Sequence, residues 1–198
     1  MLKLNFPLIL ASKSTRRKEI LEMIGLKFEI VESNYQEPKH SDHLNDPREF
    51  TEMMAANKGK EVFERTGKKS LVLAADTIGV IGDTVLEKPK DKEDAKRMLK
   101  LMSGKKHIVI TSVALFSPDE DRASVEAVST EVYFREIKDD ELKYYLDNEE
   151  YMDKAAAYAI QGMAAVFIEK FNGDYFNVVG LPIFTVFEML KNKGKIKN

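Results

Sequence analysis

The chain has 198 residues, of which 43% are hydrophobic and 32% are charged, and its formal net charge at pH 7 is −2. This size and composition fit one large globular domain or two small lobes that share a core, and the near-neutral charge disfavours a general nucleic-acid or membrane binder. The absence of cysteine excludes disulfide bonds and a thiol nucleophile, and with only three histidines a structural zinc site is disfavoured.

The sequence pattern predicts neither a targeting segment nor a membrane-spanning segment. No apolar run approaches the roughly 20 residues that a membrane-spanning helix needs. The segment Met1–Pro7 is too short and too interrupted to act as a signal peptide. We therefore expect a soluble, cytoplasmic protein.

Strands and helices alternate in the first part of the chain. The predicted elements are a strand at 8–11, a helix at 15–24, a strand at 28–31, a helix at 46–65 and a strand at 70–75. Gly25 and Gly67 end the two helices, and Asp46-Pro47 starts the second one with a capping residue followed by proline. The polar segment 32–45 is a long loop, and loops of that length are often functional or mobile.

The second part of the chain adds hairpins. The predicted elements are a hairpin at 78–86, a helix at 91–102, strands at 107–116 and 123–134, a helix from 139, strands at 164–171 and 175–179, and a helix at 182–191. Asn172-Gly173 is a strong turn signal, so we expect it to join the last two strands. Residues 193–198 are expected to form a frayed tail. The whole pattern predicts a mixed sheet in an α/β protein.

Asp76 follows the apolar run Leu71–Ala75 and precedes Thr77. If the run is a strand that ends at Ala75, the carboxylate lies beyond the carboxyl end of a strand, where ligands bind in open α/β sheets. A carboxylate at that point is placed to hold a metal ion or to activate a water molecule. Taken alone, the pattern favours an ordinary turn, and the remaining motifs shift the interpretation towards function.

Residues 12–17, Ser-Lys-Ser-Thr-Arg-Arg, place positive charge at a predicted helix N-terminus. That end of a helix is already partly positive, and each cation there costs roughly 0.3–1 kcal/mol. An anionic ligand explains the pattern, because Arg16 and Arg17 offer forked donors while amides and the hydroxyls of Ser12 and Ser14 bind further phosphate oxygens. The alternative is that the long side chains extend into solvent or pair with a neighbouring helix.

The other candidates are weaker individually. Glu37 and Asp76, together with phosphates, are the ligands that magnesium prefers. Gln161 carries a donor and an acceptor suited to reading a base edge, and Gly162 beside it would let a ligand approach closely; the alternative is a buried glutamine satisfied by backbone groups. Three lysines are candidate phosphate ligands, although a lone lysine is more often a solvated charge: Lys58, Lys88 and Lys154.

Several motifs of other enzyme classes are absent. The chain contains no G-x-x-x-x-G-K-[ST], G-x-G-x-x-G, H-E-x-x-H or G-x-S-x-G pattern. Their absence disfavours a P-loop kinase, a dinucleotide-binding dehydrogenase, a zinc protease and an α/β-hydrolase. The lysines of the tail give thin support to nucleic-acid binding, because solvated tails often have this composition.

Separated segments of the chain resemble, in order, the Maf family of nucleoside triphosphate pyrophosphatases, also called septum formation proteins. These segments are LILASKSTRRKEIL, AADTIGVIGDTVLEKPKDKEDAKRML, LMSGKKHIVITSVAL, STEVYFREI, DKAAAYAIQG and NGDYFNVVGLP. The resemblance runs nearly end to end, and the ordered set is far more specific than any one motif.

The resemblance implies one domain over residues 1–198, with an elongated mixed-sheet α/β fold and two lobes around a central groove, similar to inosine triphosphate pyrophosphatases. It implies hydrolysis of a nucleoside triphosphate to the monophosphate and pyrophosphate with a divalent metal (Mg²⁺, Mn²⁺ or Co²⁺), in a homodimer. The IQG form of the late motif, residues 160–162, resembles the branch that prefers dTTP and UTP.

The resemblance also assigns residues. Asp76 matches the catalytic proton acceptor, and Asp76 and Glu37 are the expected metal ligands. Arg16, Thr77 and Gln161 match positions linked to substrate choice. The remaining expected substrate-binding residues are Ser12, Ser14, Arg17, Lys58, Lys88 and Lys154.

The chain departs from the family pattern at a few positions. Thr15 stands where many relatives have proline, and only Glu37 of the segment 35–37 is acidic where relatives often have two acids. Ala156 and Ala159 replace glycines, and either alanine would be strained if the glycine it replaces had a positive φ. Two functional alternatives stay open: a purine-directed pyrophosphatase acting on ITP, XTP or 7-methyl-GTP, and a nucleotide-binding regulator of cell division without turnover.

Overall fold

The computed structural model describes residues 3–38 and 46–196, so part of the predicted polar loop, residues 39–45, lies outside the described residues. The strands are β1 (Leu8–Leu10), β2 (Glu29–Ile30), β3 (Leu71–Ile81), β4 (Thr84–Leu86), β5 (Lys106–Phe116), β6 (Ser124–Phe134) and β7 (Ile168–Asn172). The helices are α1 (Thr15–Met23), α2 (Pro47–Arg65), α3 (Lys92–Met102), α4 (Asp139–Asp147), α5 (Tyr175–Val179) and α6 (Ile183–Asn192). Two 3₁₀ turns lie at Ala155–Ala157 and Met163–Phe167.

The strands form one seven-stranded mixed sheet, which confirms the predicted α/β class. Its order is β2-β1-β3-β5-β6-β7, and β4 pairs with β3. Strand β1 is parallel to both β2 and β3, with Leu8 opposite Leu71, whereas β4 is antiparallel to β3 and β7 is antiparallel to β6. Within residues 3–38 and 46–196, no helix combines the length and the apolar character needed to cross a membrane.

The chain divides into two compact units. Unit 1 is the described part of Met1–Asp76, Thr111–Val128 and Gly180–Asn198, and unit 2 comprises Thr77–Ile110 and Ser129–Val179. The long strands β3, β5 and β6 each contribute residues to both units.

Helix α2 and the strands β1 and β3 form the core of unit 1. The side chains buried together are Ile9, Ala11, Val62, Phe63, Val72 and Ala74. Asp46 caps α2 by accepting a hydrogen bond from the Arg48 N–H at 2.8 Å, as the sequence predicts. Gly59 lets the helix approach the sheet closely, because a Cβ there would lie 2.6 Å from the Phe116 ring and 3.2 Å from the Ala74 Cβ.

Unit 2 has a larger, partly aromatic core. Its buried side chains include Leu86, Met98, Leu99, Met102, Phe134, Tyr145 and Phe167. Within it His107 is 1% exposed, and its Nε2 lies 2.8 Å from the Tyr158 hydroxyl. Its Nδ1 finds no hydrogen-bond partner in the described part of the chain. Burial lowers the pKa of His107 from 6.5 to about 4, so the ring is neutral near pH 7.

The buried His107 predicts an acid-sensitive fold. Since its pKa is lower in the folded than in the unfolded state, only the unfolded state binds this proton between pH 6.5 and about 4. The contribution of the neutral ring to the free energy of unfolding is fully present above pH 6.5. About 3 kcal/mol of that free energy is lost as the pH falls towards 4. Denaturant unfolding at pH 7, 5.5 and 4 should show a shallower loss for His107→Gln than for the wild type. Identical pH dependences would contradict this assignment.

The predicted hairpin at Asn172-Gly173 is wrong, because residues 175–179 form helix α5 and β7 pairs with β6 instead. The Asp174 carboxylate accepts a hydrogen bond from the Phe176 N–H at 2.7 Å at the start of this helix. The Asn177 side chain is buried and donates to the Val109 carbonyl at 3.0 Å. Burial of this polar side chain against β5 therefore selects the helix over a strand.

The expectation of a frayed tail is also wrong for residues 193–196. Lys195 is buried, and its Nζ lies 2.6 Å from the Asp119 carboxylate and 2.9 Å from that of Glu120. Leu4 and Ile196 form an antiparallel bridge. Two ion pairs and backbone pairing thus hold the tail against the rest of unit 1, whereas residues 197 and 198 lie outside the described range.

Of the two alanines considered for strain, Ala156 and Ala159, Ala156 has a positive φ of 55°, a conformation that strains an alanine. Its methyl group faces Gly79 in β3, where an added Cβ would lie 2.7 Å away. We expect Gly79→Ala to destabilise the protein by about 1–3 kcal/mol, and Ala156→Gly to relieve most of that loss in the double variant. Thermal unfolding of the three variants measures the coupling, and additive effects would contradict the contact.

Candidate active site

Asp76 lies at the centre of the eleven-residue strand β3 and not at a strand end, which corrects the sequence-based expectation. The chain stays extended beyond Asp76 because residues 79–81 pair with β4. The pairing of β3 with β1 ends at Leu73, so Asp76 lies beyond the last residue that faces β1. Asp76 therefore lies next to the end of the parallel pairing between β1 and β3, as the sequence predicts, although β3 itself continues to Ile81.

Lys58 and two carboxylates form a cluster in unit 1. The Lys58 Nζ lies 2.6 Å from Asp76 Oδ1 and 2.9 Å from Glu37 Oε1. The side chains of Lys58 and Asp76 are 14% and 12% exposed, whereas that of Glu37 is 47% exposed. Helix α2 supplies the lysine, β3 supplies Asp76, and the loop after β2 supplies Glu37. The structure therefore brings together three candidates that are distant in sequence.

Arg17 joins helix α1 to this cluster. Its Nη1 donates to the carbonyl of Ala75, the residue before Asp76, at 2.9 Å and to Ser12 Oγ at 3.1 Å, while its Nε donates to the carbonyl of Gly180 at 2.8 Å. Burial lowers the pKa of the guanidinium, and the nearby Asp76 carboxylate opposes that shift. The guanidinium thus binds protein groups on three segments of unit 1.

Ser12 and Ser14 organise the turn before α1. The Oγ of Ser12 is an acceptor for the Ser14 N–H at 3.2 Å as well as for Arg17. Ser14 is the N-cap of α1, and its side chain accepts from the Arg17 N–H at 3.5 Å. The first turn of α1, which carries Arg16, contains no acidic residue, so positive charge is concentrated at this helix start as the sequence predicts.

Unit 2 holds the other candidates. Lys88 is exposed and Lys154 is partly exposed. Their segments are joined by a hydrogen bond from the Ala156 N–H to the Glu87 carbonyl at 3.0 Å. Thr77 is the residue after Asp76 on β3 and is partly buried.

Gln161 is exposed, so the alternative of a buried, backbone-satisfied glutamine is wrong. The expected free approach at Gly162 is also wrong, because the Glu150 carboxylate fills the space that a Cβ on Gly162 would need. Glu150 accepts a hydrogen bond from the Met163 N–H at 2.7 Å. The glycine is therefore required by an internal contact, and the exposed amide of Gln161 is the group available to a ligand.

The donor set of the cluster fits a hard divalent cation. Carboxylate oxygens of Glu37 and Asp76 converge on one point, at present the Lys58 ammonium group. Two carboxylates completed by phosphate oxygens and water are a typical magnesium environment. Across residues 3–38 and 46–196, no group of three or more His, Cys, Asp or Glu side chains is placed to hold a metal.

Sequence reasoning missed the supporting residues of the site. Gly59 carried a usable signal, since glycine inside a helix costs up to about 1 kcal/mol and so indicates close packing. The backbone carbonyls of Ala75 and Gly180, which bind Arg17, carried no side-chain signal at all.

Known proteins of one family are similar to this chain over nearly its whole length. The family described as Maf-like protein matches residues 7–193. A dTTP/UTP pyrophosphatase of Caldanaerobacter subterraneus subsp. tengcongensis is 40% identical over 96% of this chain and 90% of its own length. A dTTP/UTP pyrophosphatase of Alkaliphilus metalliredigens is 44% identical over 92% of this chain and 94% of its own length.

One solved structure shows a more distant likeness. The nucleoside-triphosphatase / dITP/XTP pyrophosphatase of Mycobacterium abscessus aligns with a TM-score of 0.43 at 14% identity. The alignment covers 67% of this chain and 76% of that one. At this TM-score and identity, the likeness does not bear on the function of this chain.

Proposed function

The chain belongs to the Maf-like protein family, and from this membership we propose that it hydrolyses dTTP and UTP to the nucleoside monophosphate and pyrophosphate. Relatives that are 40–44% identical over most of the chain are named dTTP/UTP pyrophosphatases. The observation that carries the proposal is the contact of Asp76 with Lys58, to which the basic start of α1 is joined because Arg17 donates to the carbonyl of Ala75. This arrangement combines a carboxylate for water activation with cations for a polyphosphate.

The reaction is a displacement at the α-phosphorus. We propose that Asp76 orients a water molecule and accepts its proton as the oxygen attacks phosphorus. The bond from the α-phosphorus to the bridging oxygen breaks, and pyrophosphate leaves with the electron pair. Lys58 and Arg16 stabilise the negative charge that develops on the leaving group. Most of the rate enhancement then comes from positioning and electrostatics, as is general for phosphoryl chemistry.

A divalent ion belongs to this proposal. Glu37 and Asp76 would hold it, because their oxygens already converge on one cationic point. When bound, Mg²⁺, Mn²⁺ or Co²⁺ would polarise phosphate oxygens and lower the pKa of a bound water molecule. Arg17 holds the backbone before Asp76 in place and keeps the carboxylate directed at the reacting group.

Four further residues are proposed to select and hold the nucleotide. Thr77 and Gln161 read the base, supported by the exposure of the Gln161 amide and its capacity to donate and accept. Lys88 and Lys154 lie on segments joined by one backbone hydrogen bond and would bind phosphate oxygens.

A triphosphate panel tests the proposal. Pyrophosphate release is measured for dTTP, UTP, CTP, ITP, XTP and 7-methyl-GTP, with Mg²⁺, Mn²⁺, Co²⁺ or a chelator. We expect kcat/KM for dTTP and UTP to exceed the other values at least tenfold and activity to vanish with the chelator. Preference for a purine triphosphate would overturn the substrate assignment. Tight nucleotide binding without pyrophosphate release would favour a regulator without turnover.

A further inference from the structure

Lys58 lies between the two carboxylates that are expected to bind the metal. Its ammonium group lies 2.6 Å from Asp76 and 2.9 Å from Glu37, the two carboxylates that suit a divalent ion. An ammonium ion and a metal cannot occupy the same point between these oxygens. In the protein without nucleotide, the lysine therefore holds the place of the metal.

The surroundings strengthen this contact relative to an ordinary surface ion pair. Lys58 and Asp76 are both largely buried, so the attraction is screened less than on an exposed face. The lysine is tethered on α2, which Gly59 seats directly against Ala74 of β3. Its ammonium group is thus present at high local concentration, whereas a free ion must be captured from solution.

The ion pairs of Lys58 with Asp76 and Glu37 can also be broken without unfolding the helix. Lysine carries its charge on a flexible four-carbon chain with rotatable donors, so the ammonium can move while the helix stays in place. The partner Glu37 is half exposed and comes from a loop, which gives an incoming ion access to one side of the pair. Phosphate oxygens of a bound nucleotide offer the ammonium alternative partners.

We propose, on the basis of the function proposed above, that Lys58 is a built-in counter-cation that competes with the divalent ion for Glu37 and Asp76. The lysine offsets one of the two negative charges of these carboxylates in the free protein and keeps their metal affinity low. A triphosphate that takes up the ammonium group releases the carboxylates, so that metal and nucleotide enter together. The lysine then prevents unproductive metal loading without substrate.

Mn²⁺ binding in the absence of nucleotide tests the competition. Free Mn²⁺ is measured by electron paramagnetic resonance in titrations of the wild type, Lys58→Met and Lys60→Met, the last being an exposed lysine on the same helix. We expect Lys58→Met to gain one site with at least tenfold higher affinity, and Lys60→Met to match the wild type. Adding Glu37→Gln to Lys58→Met should abolish the gain.

A folded Lys58→Met that binds Mn²⁺ no tighter than the wild type would overturn the competition. Lys58→Gln provides a second test if methionine impairs folding, because a neutral amide still donates to Asp76; it too should bind Mn²⁺ more tightly, and unchanged affinity would refute the proposal. The outcome is independent of catalysis. Tighter binding without pyrophosphate release in the wild type would leave the competition standing and refute the proposed function, whereas turnover with unchanged affinities would do the reverse.

Discussion

Asp76→Asn is expected to lower kcat for dTTP about 10²–10⁴-fold while leaving the fold intact. The amide is nearly the same size as the carboxylate and still accepts a hydrogen bond from Lys58, which donates to Asp76 Oδ1 at 2.6 Å. It cannot accept a proton from water near neutral pH, and it is a poor metal ligand. Steady-state pyrophosphate release measures the loss, and thermal unfolding confirms the fold.

Asp83→Asn is the matched control for Asp76→Asn. Asp83 is exposed in the turn between β3 and β4, on the same hairpin as Asp76, and should leave kcat unchanged. Turnover of Asp76→Asn within a few-fold of the wild type would remove Asp76 from the central role. A large loss in both variants would indicate a general disturbance of β3.

Arg17→Lys is expected to destabilise the protein by about 2–4 kcal/mol and to lower kcat more than it raises KM. The guanidinium donates to the carbonyls of Ala75 and Gly180 and to Ser12, and one ammonium group cannot reproduce that fork. Loss of the bond to Ala75 frees the backbone directly before Asp76. The resulting displacement of the Asp76 carboxylate lowers kcat, whereas binding of the substrate in the ground state, and hence KM, changes less. Denaturant unfolding and steady-state kinetics separate the two effects.

Two further variants serve as controls for Arg17→Lys. Arg48→Lys changes an exposed ion pair with Glu52 on α2 and should alter stability by less than about 0.5 kcal/mol. Arg16→Lys, at the same helix start, should mainly raise KM if Arg16 binds phosphate. An Arg17→Lys variant of normal stability whose KM alone is raised would show that Arg17 binds substrate, as its sequence position suggests.

Local sequence signals predicted most elements of the fold. Asp46-Pro47 starts α2, Asp91 caps α3, and Gly25 and Gly67 follow the ends of α1 and α2 with positive φ. These signals act within one turn of the chain, so they are readable without knowing what packs nearby. The mixed sheet followed from strands that alternate with helices in the first part of the chain and from the hairpins predicted in the second part.

The errors arose where a distant residue overrides the local preference. Residues 175–179 have aromatic and β-branched side chains and follow Asn-Gly, yet they form α5. The Asn177 side chain donates to Thr130 Oγ1 and the Val109 carbonyl, and Thr130 also binds Asp174. A buried asparagine needs those partners, and they lie on other strands, so no local pattern could indicate the helix.

In the candidate site, too, the sequence predicted the local features and distant contacts decided the rest. The residue types and the order of the spaced motifs indicated a carboxylate, a cationic helix start and a family, because each motif is a short run whose chemistry is readable alone. Only the tertiary structure decided that Lys58 lies between Asp76 and Glu37 and that Arg17 binds backbone carbonyls. Such contacts join residues 18 to 163 positions apart, and their geometry is set by the packing of α1 and α2 in unit 1 rather than by any neighbour in the chain.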